Sequence, residues 1–270
     1  MRQVRIHRIQ EEVGGKIPSK RRYAKKGTSP NGKLAAFSCY TITILLVLGM
    51  AYEASEISSA QIAAQTLTAP ELMLTALFSF FLSFIAMSYM FIRGNTLEGI
   101  VESLGLSRDK FSVRMLAYGV VIFIMIFLLE IVLTLVSQAS GVAINTNTQL
   151  LLGGAPLWFL IFATFITPIN EEIFFRGFLI KGIAHISAMI SGTNGDFDSN
   201  SWAAWSGIIV SAILFGLSHA SYDSTFGVDM LAAGIFAIIA GYVFKKTKSL
   251  YPSMFAHMLV NLLAVLAFLG

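Results

Sequence analysis

Six polar side chains, in runs that are otherwise apolar, are the residues of this sequence best suited to chemistry. They are Glu171, Glu172, Arg176, His219, His257 and Asn261. Carboxylates, imidazoles and a carboxamide can activate water, stabilise an oxyanion or bind a metal ion. In a membrane an ionisable residue costs about 2.5–3.5 kcal/mol even on the lenient insertion scale, so its presence there indicates function.

The first cluster lies in the stretch ITPINEEIFFRGFLI. Glu172 and Arg176 are four residues apart, so on a helix they share a face and can form an ion pair. Glu171 is rotated by about 100° from Glu172 and is left to face a cavity. Pro168 removes a backbone hydrogen bond, which favours a kink or a restart of the helix at that point. The sequence therefore predicts one neutralised carboxylate and one that is available for chemistry.

Two further apolar runs carry the remaining candidates. His219 ends the pattern Phe215-x-x-x-His219, and the four-residue spacing of His257 and Asn261 puts both on one helix face. A single buried histidine is more often structural than catalytic, but three polar clusters lower their desolvation penalty most by meeting in one wet cavity. Straight helices place His219 and His257 near opposite membrane faces, which a break at Pro168 or a re-entrant segment would reconcile.

Two kinds of chemistry fit this set of side chains. A carboxylate in a low-dielectric cavity is a usable general base near neutral pH, and an imidazole beside it can orient water or accept its proton. A second imidazole and an amide N–H can stabilise the oxyanion formed at an attacked carbonyl, which is hydrolysis without a covalent intermediate. The alternative is a zinc site with Glu171, His219 and His257 as ligands.

Other polar residues in the apolar runs are interpreted more plainly. Glu130 either faces the cavity or pairs with a basic residue, and Asp223 and Asp229 are interpreted as loop acids. The sequence contains no G-x-S-x-G, H-E-x-x-H, P-loop or dinucleotide-binding motif. Without these motifs, water activation by the six polar side chains named first is the favoured chemistry.

The composition indicates an integral membrane protein. Of the 270 residues, 56% are hydrophobic and 13% are charged, and the mean hydropathy is +0.73. A soluble domain has about 25% charged residues. No run shows the period-two alternation of a membrane barrel, so we expect an all-α fold. The single cysteine, Cys39, excludes an intrachain disulfide.

The apolar runs predict about seven transmembrane helices that enclose an intramembrane cavity, with eight as the alternative. The runs are Leu34–Tyr52, Leu72–Ile92, Met115–Val136, Trp158–Ala188, Trp202–His219, Val228–Phe244 and Pro252–Leu269. The fourth run would extend about 46 Å as one helix, and it would be short and polar as two spans. Lys245, Lys246 and Lys248 favour seven spans, because that number places them on the cytoplasmic side.

Charge divides the chain. Residues 1–33 hold ten Lys/Arg against two Glu, whereas the rest holds nine Lys/Arg against thirteen Asp/Glu. We interpret residues 1–33 as a cytoplasmic tail that contacts anionic lipid headgroups. Aromatic residues are not interleaved with its basic ones, so no nucleic-acid partner is predicted. We expect three N-terminal transmembrane helices in residues 34–150 and a catalytic helical core in residues 151–270.

The ordered patterns Glu-Glu-x-x-x-Arg, Phe-x-x-x-His and His-x-x-x-Asn resemble the three motifs of the CAAX prenyl protease and bacteriocin-processing family. This family consists of intramembrane endopeptidases and includes the type II CAAX prenyl endopeptidases. The resemblance covers about Trp158–Leu269, and each motif lies in an apolar run. It implies hydrolysis of a peptide or a prenylated protein, with CAAX-type and leader-peptide substrates as the expected classes.

The resemblance also implies roles for the residues. Glu171 and His219 would activate the water, and His257 and Asn261 would hold the oxyanion. The Glu172–Arg176 pair would support the site. No cofactor is expected, because an oxyanion role explains Asn261, which is a poor zinc ligand; zinc dependence is the alternative.

Two other classes of function fit part of the pattern. Carboxylates and histidines also form proton relays, so a proton-coupled transporter or channel is one alternative. The first three runs carry few polar residues, which argues against the internal repeats typical of transporters. The other alternative is a non-enzymatic immunity or regulatory protein on the same scaffold. The presence of the expected residue at all six motif positions argues against it.

Overall fold

The part of the protein described by its computed structural model consists of helices joined by turns, and it covers residues 69–141, 155–193, 197, 201–219 and 228–269. No strand occurs in these residues, which confirms the predicted all-α fold. The helices are α1 (Ala69–Ile92), α2 (Leu97–Ser103), α3 (Val113–Ala139), α4 (Leu157–Ser191), α5 (Trp202–Ser218), α6 (Val228–Thr247) and α7 (Tyr251–Leu269). The predicted tail and the predicted span Leu34–Tyr52 lie outside the described residues.

Several helices have the length and apolarity that crossing a bilayer requires. Helices α3, α4 and α6 meet both conditions, with 27, 35 and 20 residues. On α1, the side chains of Phe80, Phe84 and Phe91 are exposed on the outside of the bundle. Because exposed phenylalanines suit contact with lipid tails rather than water, these features identify a membrane protein.

Helix α4 is one continuous helical run with two wider π-helical turns, Phe162–Ile166 and Ile173–Leu179. Of the two outcomes expected at Pro168, a kink or a restart of the helix, the restart is wrong. The π-helical turn before the proline changes the backbone hydrogen-bonding register, so the Thr167 N–H donates to the Phe162 carbonyl, five residues back. The helix therefore passes Pro168 without ending, and Glu171 does not lie at a free helix N-terminus.

Two loops that carry basic residues, 104–112 between α2 and α3 and 248–250 between α6 and α7, lie at the same end of the bundle. The Leu250 N–H donates to the Gly105 carbonyl at 3.2 Å, and the Tyr251 hydroxyl donates to the Leu106 carbonyl at 2.8 Å. The Ser249 hydroxyl donates to the Lys110 carbonyl at 3.2 Å. Four helices, α3 to α6, connect these loops, so one crossing by each returns the chain to the same end.

This arrangement supports a single crossing by α4, which the seven-span count requires. That count also depends on Leu34–Tyr52, outside the described residues, and stays a prediction. So do the cytoplasmic N-terminus and the division at residues 33 and 150. Within the described residues, α1 packs against α4, and α3 packs against α6 and α7.

The expected difference in depth between His219 and His257 is not found. A Cβ on Gly177 would lie 2.5 Å from Cδ2 of Leu104 and 3.4 Å from Cδ1 of Leu250, so the middle of α4 is level with the start of α7. The last turns of α4 therefore extend beyond that level, and the first turns of α5 pack against them. Helix α5 consequently reaches the depth of His257 only at its C-terminal end, where His219 lies.

Candidate active site

The four residues predicted to be catalytic line one cavity of about 210 Å³. Glu171 comes from α4, His219 from the end of α5, and His257 and Asn261 from α7. Most of the remaining lining is apolar, including Phe159, Ala232, Phe236, Val260 and Val265. The cavity therefore combines a small polar face with walls that suit apolar groups.

Glu172 and Arg176 form the ion pair that their spacing predicts. Nη1 of Arg176 lies 2.9 Å from Oε1 of Glu172, and the two side chains are 1% and 0% exposed. The guanidinium also lies over the rings of Phe215 and Phe236, at 4.0 and 5.1 Å from their centroids. A buried guanidinium gains from such aromatic faces as well as from its carboxylate. The pair is buried beside the cavity and does not line it.

His257 connects the paired carboxylate to the other one. Its Nδ1 lies 3.2 Å from Oε1 of Glu172, and its Nε2 lies 3.8 Å from Oε2 of Glu171. Because Glu172 is the ion-pair partner of Arg176, its carboxylate accepts and the imidazole Nδ1–H donates. This contact fixes the ring with Nε2 turned towards Glu171 and the cavity.

His219 approaches from the end of α5. Its Nδ1–H donates to the Phe215 carbonyl at 2.8 Å, since a carbonyl can only accept. In the neutral ring, Nε2 then carries the lone pair. Phe215 therefore contributes twice, by holding His219 through its carbonyl and Arg176 through its ring. That double use gives a physical reason for the Phe-x-x-x-His spacing.

Asn261 reaches across from α7 to the backbone of α4. Its Nδ2 donates to the Ala163 carbonyl at 2.8 Å. A primary amide has two N–H donors, so one hydrogen bond to Ala163 fixes the plane of the amide and leaves a second donor. Ala163 and Asn261 both line the cavity.

The donor set also fits a metal ion. One ligand atom each from Glu171, His219 and His257 lie within 4.8 Å of one another. One carboxylate and two imidazoles are ligands that zinc accepts, and the Glu172 carboxylate behind His257 is the outer partner that zinc-bound histidines usually have. The geometry thus accommodates both chemistries predicted from the sequence.

The sequence analysis missed part of the cavity wall. Asp229, interpreted as a loop acid, lies in the first turn of α6 and lines the cavity together with Glu130 of α3. That interpretation was wrong, because α6 begins at Val228 and its first turn directs Asp229 towards the cavity. The signal for Glu130 was its position as the only charged residue of the Met115–Val136 run. No spacing rule in the sequence connects it to Asp229.

The apolar helices define a polytopic membrane protein. The carboxylate, imidazole and amide groups that they enclose are side chains of the kinds found in hydrolase active sites. Residues 153–263 match the family model of the Rce1-like type II CAAX prenyl endopeptidases. The matched segment is under half of the chain and contains all three motifs. At the level of the family, this match supports an intramembrane endopeptidase of the CAAX type. No curated protein and no solved structure matched the chain.

Proposed function

We propose that the protein hydrolyses a peptide bond with a water molecule activated by Glu171 and His219, and that His257 and Asn261 bind the resulting oxyanion. One observation carries the proposal. Of the two adjacent carboxylates, Glu172 is occupied by Arg176 and His257, whereas Glu171 lines the cavity beside two imidazoles and an amide. That asymmetry is what a single general base requires.

The first step is the attack of water on the carbonyl carbon. Glu171 accepts a proton from the water, and the water oxygen bonds to the carbon while the C=O electron pair moves onto oxygen. Nε2 of His219 orients the same water through its lone pair. The proton held by Glu171 then passes to the leaving nitrogen as the C–N bond breaks, so the carboxylate is regenerated.

The second part of the proposal concerns the negative charge on the carbonyl oxygen. In its doubly protonated form His257 donates from Nδ1 to Glu172 and from Nε2 to the carbonyl oxygen. Asn261 donates through the N–H that the Ala163 carbonyl does not use. Two donors in a site poor in water stabilise a developing oxyanion far better than they do in solution.

The proposed reaction needs no metal, because the carboxylate and imidazoles supply the base and the donors. Zinc is the alternative that the donor set also fits. Glu171, His219 and His257 would then be its ligands, and zinc would supply an activated water. Asn261 would keep its role at the carbonyl oxygen in either case.

The proposed substrates are peptides that reach the cavity from the membrane, either prenylated CAAX-type proteins or leader peptides. The family supports the prenylated class, and the apolar walls of the cavity suit a chain of hydrocarbon or apolar side chains. The exposed apolar surface of α1 and α3 supports delivery from lipid rather than from water.

The test is a peptidase assay of the purified protein in detergent, with a farnesylated CAAX peptide, its unprenylated form and a leader-peptide panel. We expect cleavage that survives a strong zinc chelator and is lost in Glu171→Gln, an almost isosteric change that removes only the base. Loss with chelator and recovery with zinc would replace the metal-free mechanism. No cleavage, together with proton flux in liposomes that requires Glu171, would replace the protease by a transporter.

A further inference from the structure

We infer that Pro168 is a positioning residue for Asn261, and that it acts by leaving the Ala163 carbonyl without a partner inside its own helix. The inference rests on the proposed oxyanion role of Asn261. It concerns how the Asn261 side chain is oriented. It also gives a functional role to a proline that would otherwise be explained only by its effect on the helix.

The hydrogen bonds of the π-helical turn explain why the Ala163 carbonyl is unpartnered in α4. In an α-helix this carbonyl accepts from residue 167, and in a π-helix it accepts from residue 168. Thr167 donates its N–H to Phe162 instead. Residue 168 is proline, which has no N–H. Both helical donors are therefore lost at the same carbonyl.

A part-buried carbonyl among apolar walls needs another donor, because an unsatisfied acceptor in an apolar environment is costly. Asn261 provides it, with Nδ2 at 2.8 Å from the Ala163 oxygen. The bond joins α7 to α4 about two helical turns before Glu171. It fixes the plane of the amide, so the second N–H has a defined direction in the cavity that both residues line.

Restoring an N–H at position 168 should therefore release Asn261. In Pro168→Ala the new N–H can donate to the Ala163 carbonyl within the helix, and the amide of Asn261 then loses its fixed orientation. We expect kcat to fall by about 10–100-fold, because a small misplacement of a catalytic group costs about two orders of magnitude. KM should change little, since no group that binds the substrate is removed.

The decisive measurement is a double-mutant cycle of Pro168→Ala and Asn261→Ala, read by kcat and by the apparent Tm in detergent. Asn261→Ala should lower the Tm of the native chain by about 2–10 °C, because it leaves the part-buried Ala163 carbonyl without its donor. In the Pro168→Ala background the same change should lower the Tm much less. The kcat losses should likewise be far from multiplicative, because both changes remove one oriented donor.

Pro252→Ala is the matched control. Pro252 lies in the first turn of α7, where a backbone N–H has no helical acceptor in any case, so its replacement disturbs no carbonyl. We expect its kcat to stay within about twofold of the native value, well short of the loss expected in Pro168→Ala.

The cycle separates this inference from the proposed function. Independent effects of the two changes on both Tm and kcat would overturn it, even if Glu171→Gln is inactive as proposed. A Pro168→Ala chain that fails to fold would also overturn it. Such a failure would mean that the Ala163 carbonyl does not accept a hydrogen bond from the new N–H. If the native protein cleaves no substrate, the proposed function fails, and the Tm cycle alone still decides whether Pro168 and Asn261 are coupled.

Discussion

Nδ1 of His257 lies 3.2 Å from Oε1 of Glu172, the same oxygen that lies 2.9 Å from Nη1 of Arg176. One carboxylate oxygen thus serves a guanidinium from its own helix and an imidazole from another. The Glu172–Arg176 pair is therefore more than a device for tolerating a charge in an apolar helix. It holds an acceptor of fixed charge behind the ring that faces the cavity.

The first prediction separates the stabilising and functional roles of this pair. Arg176→Met should destabilise the protein by about 3–5 kcal/mol, because it leaves the Glu172 carboxylate buried without its main partner. Glu172→Gln should be similarly harmful, since the charge of Arg176 is then unpaired. The double variant should recover much of the lost stability, because no uncompensated charge remains. Apparent Tm in detergent measures all three.

The double variant should remain poorly active despite its recovered stability. Glutamine is a weaker acceptor than a carboxylate, so the hydrogen bond that orients the His257 ring through Nδ1 is weakened. We expect kcat to stay at least about tenfold below the native value. Recovery of kcat along with Tm would show that the pair is purely structural.

The second prediction concerns His219. Its replacement by Gln should lower kcat by about 10²–10⁴-fold, the usual contribution of a positioned acid–base group, with little change in Tm. His185→Gln is the matched control, because His185 lies in α4 outside the cavity lining. Activity in that control should stay within about twofold. Equal losses in both variants would mean that His219 acts through packing alone.

Much of this arrangement follows from the sequence, and the reason is periodicity. The Glu172–Arg176 ion pair follows from the four-residue spacing, and the convergence of Glu171, His219 and His257 follows from the cost of three separate polar burials. The helices themselves follow from apolar length, which is a strong signal in membrane proteins. Each of these inferences uses only the local spacing of residues or the free-energy cost of burying polar groups.

The parts that the sequence did not predict depend on hydrogen-bonding register and on contacts between distant segments. The π-helical turns of α4 have no sequence periodicity of their own, so Pro168 suggested a break rather than a change of register. The inward position of Asp229 depends on how α6 meets α3. The common depth of His219 and His257 depends on how far α4 and α5 extend beyond the level of Gly177, which packs against Leu104 and Leu250.

The third prediction tests the membrane orientation. In a Cys39→Ala background, Arg108→Cys and Lys246→Cys should react with an impermeant thiol reagent from the same side, because the loop with Arg108 and the last turn of α6 with Lys246 lie at one end of the bundle. The positive-inside rule predicts that side to be cytoplasmic. Ser140→Cys, at the other end of α3, should react from the opposite side. Labelling of Arg108→Cys and Lys246→Cys from different sides would contradict a single crossing by α4.

The fourth prediction uses three glycines in helices as a graded test of packing. A Cβ on Gly207 of α5 would lie 2.4 Å from the Ile180 carbonyl oxygen of α4, and a backbone atom cannot move aside. Gly207→Ala should therefore push α5 away from α4 and destabilise the protein by about 1–3 kcal/mol. Because α5 carries His219 at its end, kcat should fall with the Tm.

The other two glycines set the scale for that result. A Cβ on Gly177 would meet Cδ2 of Leu104 at 2.5 Å, the end of a side chain that can rotate, so Gly177→Ala should cost less than Gly207→Ala. On Gly234 the nearest atom would be the Ala212 carbonyl oxygen at 3.9 Å, which leaves room. Gly234→Ala should stabilise the protein by about 0.5–1 kcal/mol through helix propensity alone. An order of Tm values other than Gly207→Ala lowest and Gly234→Ala highest would contradict the backbone contact between α4 and α5.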